Sequence, residues 1–263
     1  MKYKLIAVDL DGTLLDNNST ISNENMKAIK YAVEKGIIII PCTGRAIQGI
    51  TKFNFLVELG SFAVAYNGGM VINLKNKEIT YNCPLLHSDA DFIINKGLEY
   101  NTNICVWSDN NLYCNKINQY TLSYSKISGV EPIEFNNIHF FDDKIITKVL
   151  WHDDEENISN FLKSMSKDTS KNVSCCTSKP WFLEFFNSST SKGLALSKIC
   201  NKLEISRNEI IAFGDELNDI SMLEYAGLGI AMKNAKPEVK KIADFITSSN
   251  SEDGFAQAIY KFI

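Results

Sequence analysis

Short apolar runs that alternate with helix-length segments constrain the fold of this chain most strongly. Residues 4–8 (KLIAV) predict a buried strand, and residues 37–40 predict a second one. Between them, Ser22 can cap a helix that ends at Gly36. A strand, a helix and a strand at this spacing form a βαβ unit, and such units build parallel sheets through right-handed crossovers. The start of the chain therefore predicts an α/β fold.

The same pattern returns near the end of the chain. Helices are predicted over residues 192–203 and 218–226, and strands over residues 210–213, 228–231 and 245–247. Before the middle section, a helix is predicted over residues 47–59 and a strand over residues 62–65. Both ends of the chain thus contribute to one parallel core.

The middle of the chain has a different pattern of predicted helices and strands. After a helix at residues 88–100, paired strands and further helices follow up to Phe186, which predicts an α+β module on a small antiparallel sheet. We therefore predict a discontinuous core of residues 1–82 and 187–263 and an inserted domain of residues 83–186.

Composition excludes several classes of protein. The 263 residues are 45% hydrophobic and 22% charged, with a formal net charge of −4, so the overall basic footprint of a nucleic-acid binder is missing. No apolar run approaches the roughly 20 residues of a membrane span, and Asp9 and Asp11 interrupt the first run too early for a signal peptide. We expect no nucleic-acid or membrane partner, while a monomer and a homodimer are both compatible with the sequence.

The cysteines predict a reducing compartment. Their number is seven, which is odd, and no CxxC pair occurs. A disulfide framework is therefore not expected, and the chain is predicted to be cytoplasmic.

Four polar clusters carry the candidate chemistry. In chain order they are DLDGT (residues 9–13), TGR (43–45), SKG (191–193) and GDELND (214–219). Three of them follow predicted strands and one begins a helix. Because ligands of open parallel sheets bind at the carboxyl ends of the strands, these clusters are expected to meet at one edge.

Two of the clusters have a chemical interpretation of their own. The acids and the amide of residues 214–219 are the hard oxygen ligands that Mg²⁺ prefers. The hydroxyl of Thr43, with the permissive Gly44 behind it, suits contact with a phosphoryl oxygen, although TGR alone fits a plain turn equally well. Arg45 is one of two arginines in the chain, and its permanently charged fork suits an anionic substrate.

As a set, the clusters resemble the motifs of the haloacid dehalogenase-like superfamily and, within it, the Cof-type phosphatases with a large α/β cap. The resemblance covers essentially the whole chain, and the insertion falls between the second and third motifs, where the Cof type carries its cap. Residues 67–69 (NGG) resemble the family's NGA segment, with Gly69 in place of alanine. The resemblance implies a Rossmann-like doubly wound parallel-sheet core with an inserted α+β cap.

The resemblance also implies Mg²⁺-dependent phosphoryl transfer through an aspartyl-phosphate. It implies Asp9 as the nucleophile, Asp11 as the general acid and base, and Thr43 and Lys192 as contacts to the phosphoryl group. Implied metal ligands are Asp9, Asp11 through its main chain, and Asp215, while Asp219 would support the metal shell or orient Lys192. The residues predicted to bind substrate are Gly44, Arg45, Asn67, Gly68 and Asn218.

The expected substrate is a small phosphate ester, either a sugar phosphate or a phosphorylated cofactor. A phosphomutase of the phosphomannomutase-like type is the nearest alternative, because it would use the same aspartate pair. A non-enzymatic binding module is disfavoured, since every catalytic group of the motifs is present.

Overall fold

The computed structural model describes residues 2–59 and 62–263, and the chain divides into two compact units. The first unit comprises Met1–Gly44, Ile50–Tyr81 and Ser191–Ile263. The second comprises Arg45–Gly49 and Asn82–Thr190.

The secondary structure follows the predicted alternation at both ends of the chain. The strands are β1 (Leu5–Val8), β2 (Ile38–Pro41), β3 (Phe62–Ala65), β4 (Met70–Asn73), β5 (Ile79–Asn82), β6 (Asn103–Ser108), β7 (Asn111–Cys114), β8 (Pro132–Glu134), β9 (Ile146–His152), β10 (Val173–Lys179), β11 (Phe182–Asn187), β12 (Ile210–Gly214), β13 (Leu228–Ala231) and β14 (Phe245–Ile246). The α-helices are α1 (Asn23–Glu34), α2 (Ile47–Thr51), α3 (Asn54–Glu58), α4 (His87–Glu99), α5 (Gln119–Ser128), α6 (Glu155–Asp168), α7 (Lys192–Lys202), α8 (Ile220–Tyr225), α9 (Pro237–Ile242) and α10 (Gly254–Phe262). Among the described residues, none of these helices is long and apolar enough to cross a bilayer.

A five-stranded parallel sheet in the order β14-β13-β12-β1-β2 forms the centre of the first unit. Ala7 of β1 lies opposite Ala212 on one side and Ile40 on the other. The chain leaves β1 toward β2 and later returns on the opposite side at β12, so the topological switch point lies between β1 and β12. In open α/β sheets this is where ligands bind.

Helices α7 and α8 pack against this sheet through buried aliphatic side chains. Ala195 and Leu196 of α7 and Met222 of α8 share one core cluster with Leu5 and Ala212 of the sheet. Ser191 caps α7 by accepting a 3.1 Å hydrogen bond from the N–H of Leu194. This cap makes Lys192 the first residue of the helix.

The helix predicted over residues 47–59 is wrong as one element. It is divided into α2 and α3, and Phe53 at the break has a ψ of 88°. This ψ lies outside the helical region, so one helix ends before Phe53 and another begins after it. The helix predicted from residue 218 likewise begins later, at Ile220, after a 3-10 turn over Leu217–Asp219.

The second unit contains a six-stranded sheet in the order β10-β11-β9-β6-β7-β8. The neighbouring strands are antiparallel except for β7 and β8, which are parallel. The predicted antiparallel sheet is therefore wrong for this pair. Helix α5 lies between β7 and β8 in the chain and provides the crossover that a parallel pair requires.

Helices α4 and α6 supply buried side chains to one core in the second unit. Ile93 of α4 and Ile158 of α6 belong to the same cluster as Val149, Trp151 and Phe185 of the sheet. This unit therefore has a hydrophobic core of its own.

Candidate active site

Asp9 and Asp215 meet at the carboxyl edge of the first unit's sheet. Each of them follows directly after its strand, β1 for Asp9 and β12 for Asp215. The N–H of Asp9 donates to the carbonyl of Phe213 at 3.1 Å, which continues the parallel ladder past the end of β1. Both carboxylates are buried, with 6% and 7% of the residue exposed. The switch point thus holds two acids that lie far apart in the chain.

Lys192 joins this edge from the start of α7. Its Nζ lies 2.6 Å from Oδ1 of Asp9 and 2.6 Å from Oδ1 of Asp219. Burial lowers the pKa of Lys192, but the negative charges of Asp219 and Asp9 outweigh this effect and raise that pKa above its ordinary value. The lysine is therefore a buried, permanently charged ammonium.

Asp219 uses both of its carboxylate oxygens on partners within the protein. While Oδ1 accepts from Lys192, Oδ2 accepts the N–H groups of Asp215 at 2.9 Å and of Glu216 at 3.0 Å. Asp219 consequently fixes the loop after β12 and the position of the lysine at the same time. This arrangement fits the second of its two expected roles, the orientation of Lys192, better than the metal shell.

Asp215 is held by the first loop. The hydroxyl of Thr13 donates to its Oδ1 at 2.6 Å. Gly12 has a φ of +82°, and a Cβ atom at that position would lie 2.3 Å from Oδ2 of Asp215, so only glycine fits there. Burial raises the pKa of Asp215 to about 6, and the hydrogen bond from Thr13 opposes this shift.

The donor set of this cluster suits a hard divalent cation. Asp9, Asp215 and Asp219 each offer a carboxylate oxygen, and these atoms lie within 4.8 Å of one another. Burial raises the pKa of Asp9, the charge of Lys192 lowers it, and the charges of Asp219 and Asp215 raise it further. Because three carboxylates face the ammonium of Lys192, a further positive charge would stabilise their ionised forms. The residues therefore fit Mg²⁺, which is bound through oxygen atoms.

Thr43, Gly44, Asn67 and Asn218 form a second group in the first unit. The carbonyl of Thr43 accepts the N–H of Asn67 at 3.0 Å, and Nδ2 of Asn218 donates to Oδ1 of Asn67 at 2.8 Å. A Cβ atom at Gly44 would lie 2.8 Å from the same Oδ1, so the Gly44 backbone approaches the amide closely. Residues of the second motif, the NGG segment and the fourth motif are thus linked by direct contacts.

Gly68 lies against the start of α7. It has a φ of +102°, and a Cβ atom there would lie 2.2 Å from the carbonyl oxygen of Ser191. The two preceding residues, Tyr66 and Asn67, also have positive φ angles of 51° and 57°. Such backbone conformations are costly for residues with side chains and concentrate at functional sites.

Asp11 and Arg45 each contact a residue four positions further along the chain. Asp11 is exposed and forms a β-bridge with Leu15. Arg45 falls in the second compact unit, where its Nη1 donates to the carbonyl of Gly49 at 3.5 Å. The contact of Arg45 with a substrate stays a prediction.

Two side chains at this edge were not assigned a role from the sequence. Thr13 belongs to the DLDGT motif, and its position two residues after Asp11 was the available signal for the bond to Asp215. Asn234 donates from Nδ2 to the carbonyl of Gly12 at 2.8 Å. It lies in no cluster of polar residues that a sequence reading would select.

Comparisons with known proteins find relatives over almost the whole chain. The family model for haloacid dehalogenase-like hydrolases matches residues 6–259. "Putative phosphatase YxeH" of Bacillus subtilis (strain 168) is 36% identical over 267 residues, which cover 99% of this chain and 98% of the relative. The 5-amino-6-(5-phospho-D-ribitylamino)uracil phosphatase YcsE of the same organism is 32% identical over 265 residues, covering 99% of this chain and 96% of the relative.

A solved structure has the same fold over the whole chain. A haloacid dehalogenase-like hydrolase from Bacteroides thetaiotaomicron superimposes with a TM-score of 0.91 at 30% identity, and all of both chains is covered. The predicted α/β fold, the resemblance and the enzyme class, a phosphatase-type hydrolase, are confirmed. The chain belongs to the haloacid dehalogenase-like hydrolases.

Proposed function

We propose that this enzyme is a Mg²⁺-dependent phosphatase that hydrolyses small phosphate esters through a phosphoryl group carried on Asp9. The observation that supports this proposal most directly is the pairing of Lys192 with Asp9 at 2.6 Å beside Asp215. This arrangement combines a carboxylate that can act as a nucleophile with fixed positive charge for an anionic substrate.

In the first step, a carboxylate oxygen of Asp9 attacks phosphorus and the bond from phosphorus to the ester oxygen breaks. Asp11 donates its proton to the leaving oxygen, so that an alcohol departs. Lys192 holds the Asp9 carboxylate in place and contributes positive charge next to the phosphoryl oxygens. The Thr43 hydroxyl and the backbone at Gly44 donate to the same oxygens.

In the second step, Asp11 accepts a proton from a water molecule. The water oxygen attacks phosphorus and the bond from phosphorus to Asp9 breaks, so that inorganic phosphate is released and the Asp9 carboxylate is restored. Mg²⁺, when bound by Asp9, Asp215 and the main-chain oxygen of Asp11, supplies the positive charge that lets these acids share a site with a phosphate group. Asp219 keeps Lys192 oriented throughout.

The substrates we propose are sugar phosphates or phosphorylated cofactors. The relative that is 32% identical bears the name of a phosphatase for 5-amino-6-(5-phospho-D-ribitylamino)uracil, which makes this ester the first compound to examine. We assign catalysis to residues 1–82 and 187–263 and the selection of the substrate to residues 83–186. A cytoplasmic location agrees with the seven free cysteine thiols.

The test is phosphate release from a panel of metabolite esters, measured with and without Mg²⁺. Asp9→Asn should abolish release without unfolding the protein, since the change is nearly isosteric. Asp16→Asn is the matched control, because Asp16 lies in the same segment but its carboxylate bonds to Thr20. Removal of the metal with EDTA should abolish phosphate release, and added Mg²⁺ should restore that activity.

Trapping the intermediate provides a second readout. Acid-quenched enzyme should carry one phosphoryl group on the peptide that contains Asp9. Wild-type phosphate release by Asp9→Asn would overturn the assignment. Transfer of phosphate within a sugar phosphate, with no net release, would instead favour a mutase.

A further inference from the structure

We infer that Asn234 is a positioning residue for the metal site. Its side-chain amide holds the peptide of Gly12, which lies between Asp11 and Thr13, the residue that donates to Asp215. The inference rests on the proposed function, in which Asp9, Asp11 and Asp215 hold Mg²⁺. Asn234 acts through the carbonyl of Gly12, to which its Nδ2 donates.

Backbone hydrogen bonds connect the segment that carries Asn234 to the loop after β12. This segment, residues 232–236, follows β13. The N–H of Met232 donates to the carbonyl of Gly214 at 3.1 Å, and the N–H of Lys236 donates to the carbonyl of Asp215 at 3.0 Å. An ion pair of 2.8 Å between Lys236 and Glu216 adds a side-chain contact. The segment therefore has a defined position relative to Asp215.

From this position, Asn234 reaches the loop after β1. Its Nδ2 donates to the carbonyl of Gly12 at 2.8 Å. Gly12 directly follows Asp11 and directly precedes Thr13, whose hydroxyl donates to Asp215. Since Gly12 has a φ of +82°, its carbonyl does not belong to a regular strand or helix, and a side chain supplies its partner. Holding this peptide fixes Asp11 on one side and the Thr13–Asp215 contact on the other.

The other end of the Asn234 amide is held as well. Its Oδ1 accepts the N–H of Asn250 at 3.0 Å. Asn250 is buried, with 5% of the residue exposed, and its Nδ2 donates to the carbonyl of Leu15 at 2.9 Å. The position thus requires a donor and an acceptor in one short side chain. Asparagine provides both, whereas aspartate provides acceptors only.

Loss of the donor should weaken metal binding more than folding. Groups that hold the ligands of a metal typically contribute about 10- to 100-fold to its affinity, and we expect about tenfold for Asn234→Ala because the contact is a single bond to a carbonyl. Asn234→Asp keeps the acceptor for Asn250 but cannot donate to Gly12, so it should weaken Mg²⁺ binding at least as much. At saturating Mg²⁺ both variants should recover most of the wild-type kcat.

Titration calorimetry with Mg²⁺ in the absence of substrate tests the inference. Lys233→Ala is the matched control, since Lys233 is the preceding residue and contacts Glu252 at 3.3 Å instead. The Mg²⁺-induced rise in Tm provides an independent measure of the same affinity. Weaker binding by both Asn234 variants, with wild-type binding by the Lys233 variant, supports the inference.

Four results would overturn it. Wild-type Mg²⁺ affinity in Asn234→Ala would remove the positioning role, and equal weakening in Lys233→Ala would show a general loosening of the segment. A raised KM for the ester with unchanged Mg²⁺ affinity would make Asn234 a substrate contact. If the wild-type protein itself binds no Mg²⁺, the proposed function fails first and the inference fails with it.

Discussion

Lys192 and Asp219 form an ion pair of 2.6 Å in which both side chains are 0% exposed. An unpaired charge that is buried this completely would strongly destabilise the folded protein, so each residue requires the other. Asp219 also accepts two backbone N–H groups of its own loop. The pair therefore links the position of Lys192 to the loop that carries Asp215.

This relationship separates the expected roles of Asp215 and Asp219. Asp215→Asn should lower the affinity for Mg²⁺ by at least about tenfold, because the carboxylate proposed to bind the ion loses its charge. Asp219→Asn should change Mg²⁺ affinity much less but should lower kcat, because Lys192 loses one of its two carboxylate partners. Calorimetry with Mg²⁺ and steady-state phosphate release would measure the two effects. Equal losses of Mg²⁺ affinity in both variants would identify Asp219 as a direct ligand.

Gly12 and Gly36 offer a matched pair of substitutions. Both have positive φ angles, +82° and +78°, so alanine should cost about 1–2 kcal/mol of backbone strain at either position. At Gly36 a Cβ atom meets nothing within 4 Å, whereas at Gly12 it would overlap Asp215. We therefore expect Gly12→Ala to destabilise the protein more and, unlike Gly36→Ala, to weaken Mg²⁺ binding.

Urea unfolding and Mg²⁺ titration of the two glycine variants would check this expectation. The difference between their free energies of unfolding isolates the contact with Asp215 from the shared strain. Unchanged Mg²⁺ affinity in Gly12→Ala would show that Asp215 can move aside without loss.

Lys148 and Glu184 form a buried ion pair of 2.9 Å in the second unit, and each side chain is 8% exposed. Lys148→Met should destabilise the protein by about 3–5 kcal/mol, since it leaves the Glu184 carboxylate buried without its cation. The double variant Lys148→Met/Glu184→Leu should recover most of that loss, because apolar replacement of both partners is often neutral. Chemical denaturation of both variants would measure the difference.

A surface ion pair provides the comparison for this prediction. Lys4 and Glu209 are 2.6 Å apart, but 56% of the Lys4 side chain is exposed. Lys4→Met should therefore cost no more than about 1 kcal/mol. A loss of similar size in Lys148→Met would mean that water reaches the buried pair.

The parts of the fold that were predictable are those encoded by local patterns. The uninterrupted apolar run of β1 marks a strand buried on both faces, and Asp9 at its end marks the functional edge. The contact between Thr13 and Asp215 spans 202 positions in the chain, and only the crossover that places β12 beside β1 creates it. Local patterns carry no information about such a pairing.

The same reasoning explains the errors. Strand β8 has three residues and begins with proline, so its sequence lacks the alternation or apolar run that marks a strand. Asn234 likewise stands outside any polar cluster, and its role depends on the turn that carries it toward Gly12. These features follow from tertiary geometry and could not be deduced from neighbouring residues.

His152 should make the second unit sensitive to mild acid. Its ring packs against Tyr120 and Phe182 and its Nδ1 lies 2.9 Å from the Tyr120 carbonyl. Burial lowers the pKa of His152 below its ordinary value of 6.5, while the bond to Tyr120 opposes this shift. The neutral ring therefore contributes stability that is fully present above pH 6.5 and is lost as the pH falls through the lowered pKa.

His152→Gln removes this titration and keeps a donor for the Tyr120 carbonyl. Between neutral pH and about pH 5, the wild-type protein should lose more free energy of unfolding than the variant does. Urea unfolding across this range would measure the difference, and an NMR titration of the imidazole protons would give the pKa of His152 directly. Parallel pH profiles for the two proteins would contradict the prediction. A pKa of His152 at or above its ordinary value would also contradict it, because the folded state would then bind a proton at least as readily as the unfolded chain and acid would not destabilise it.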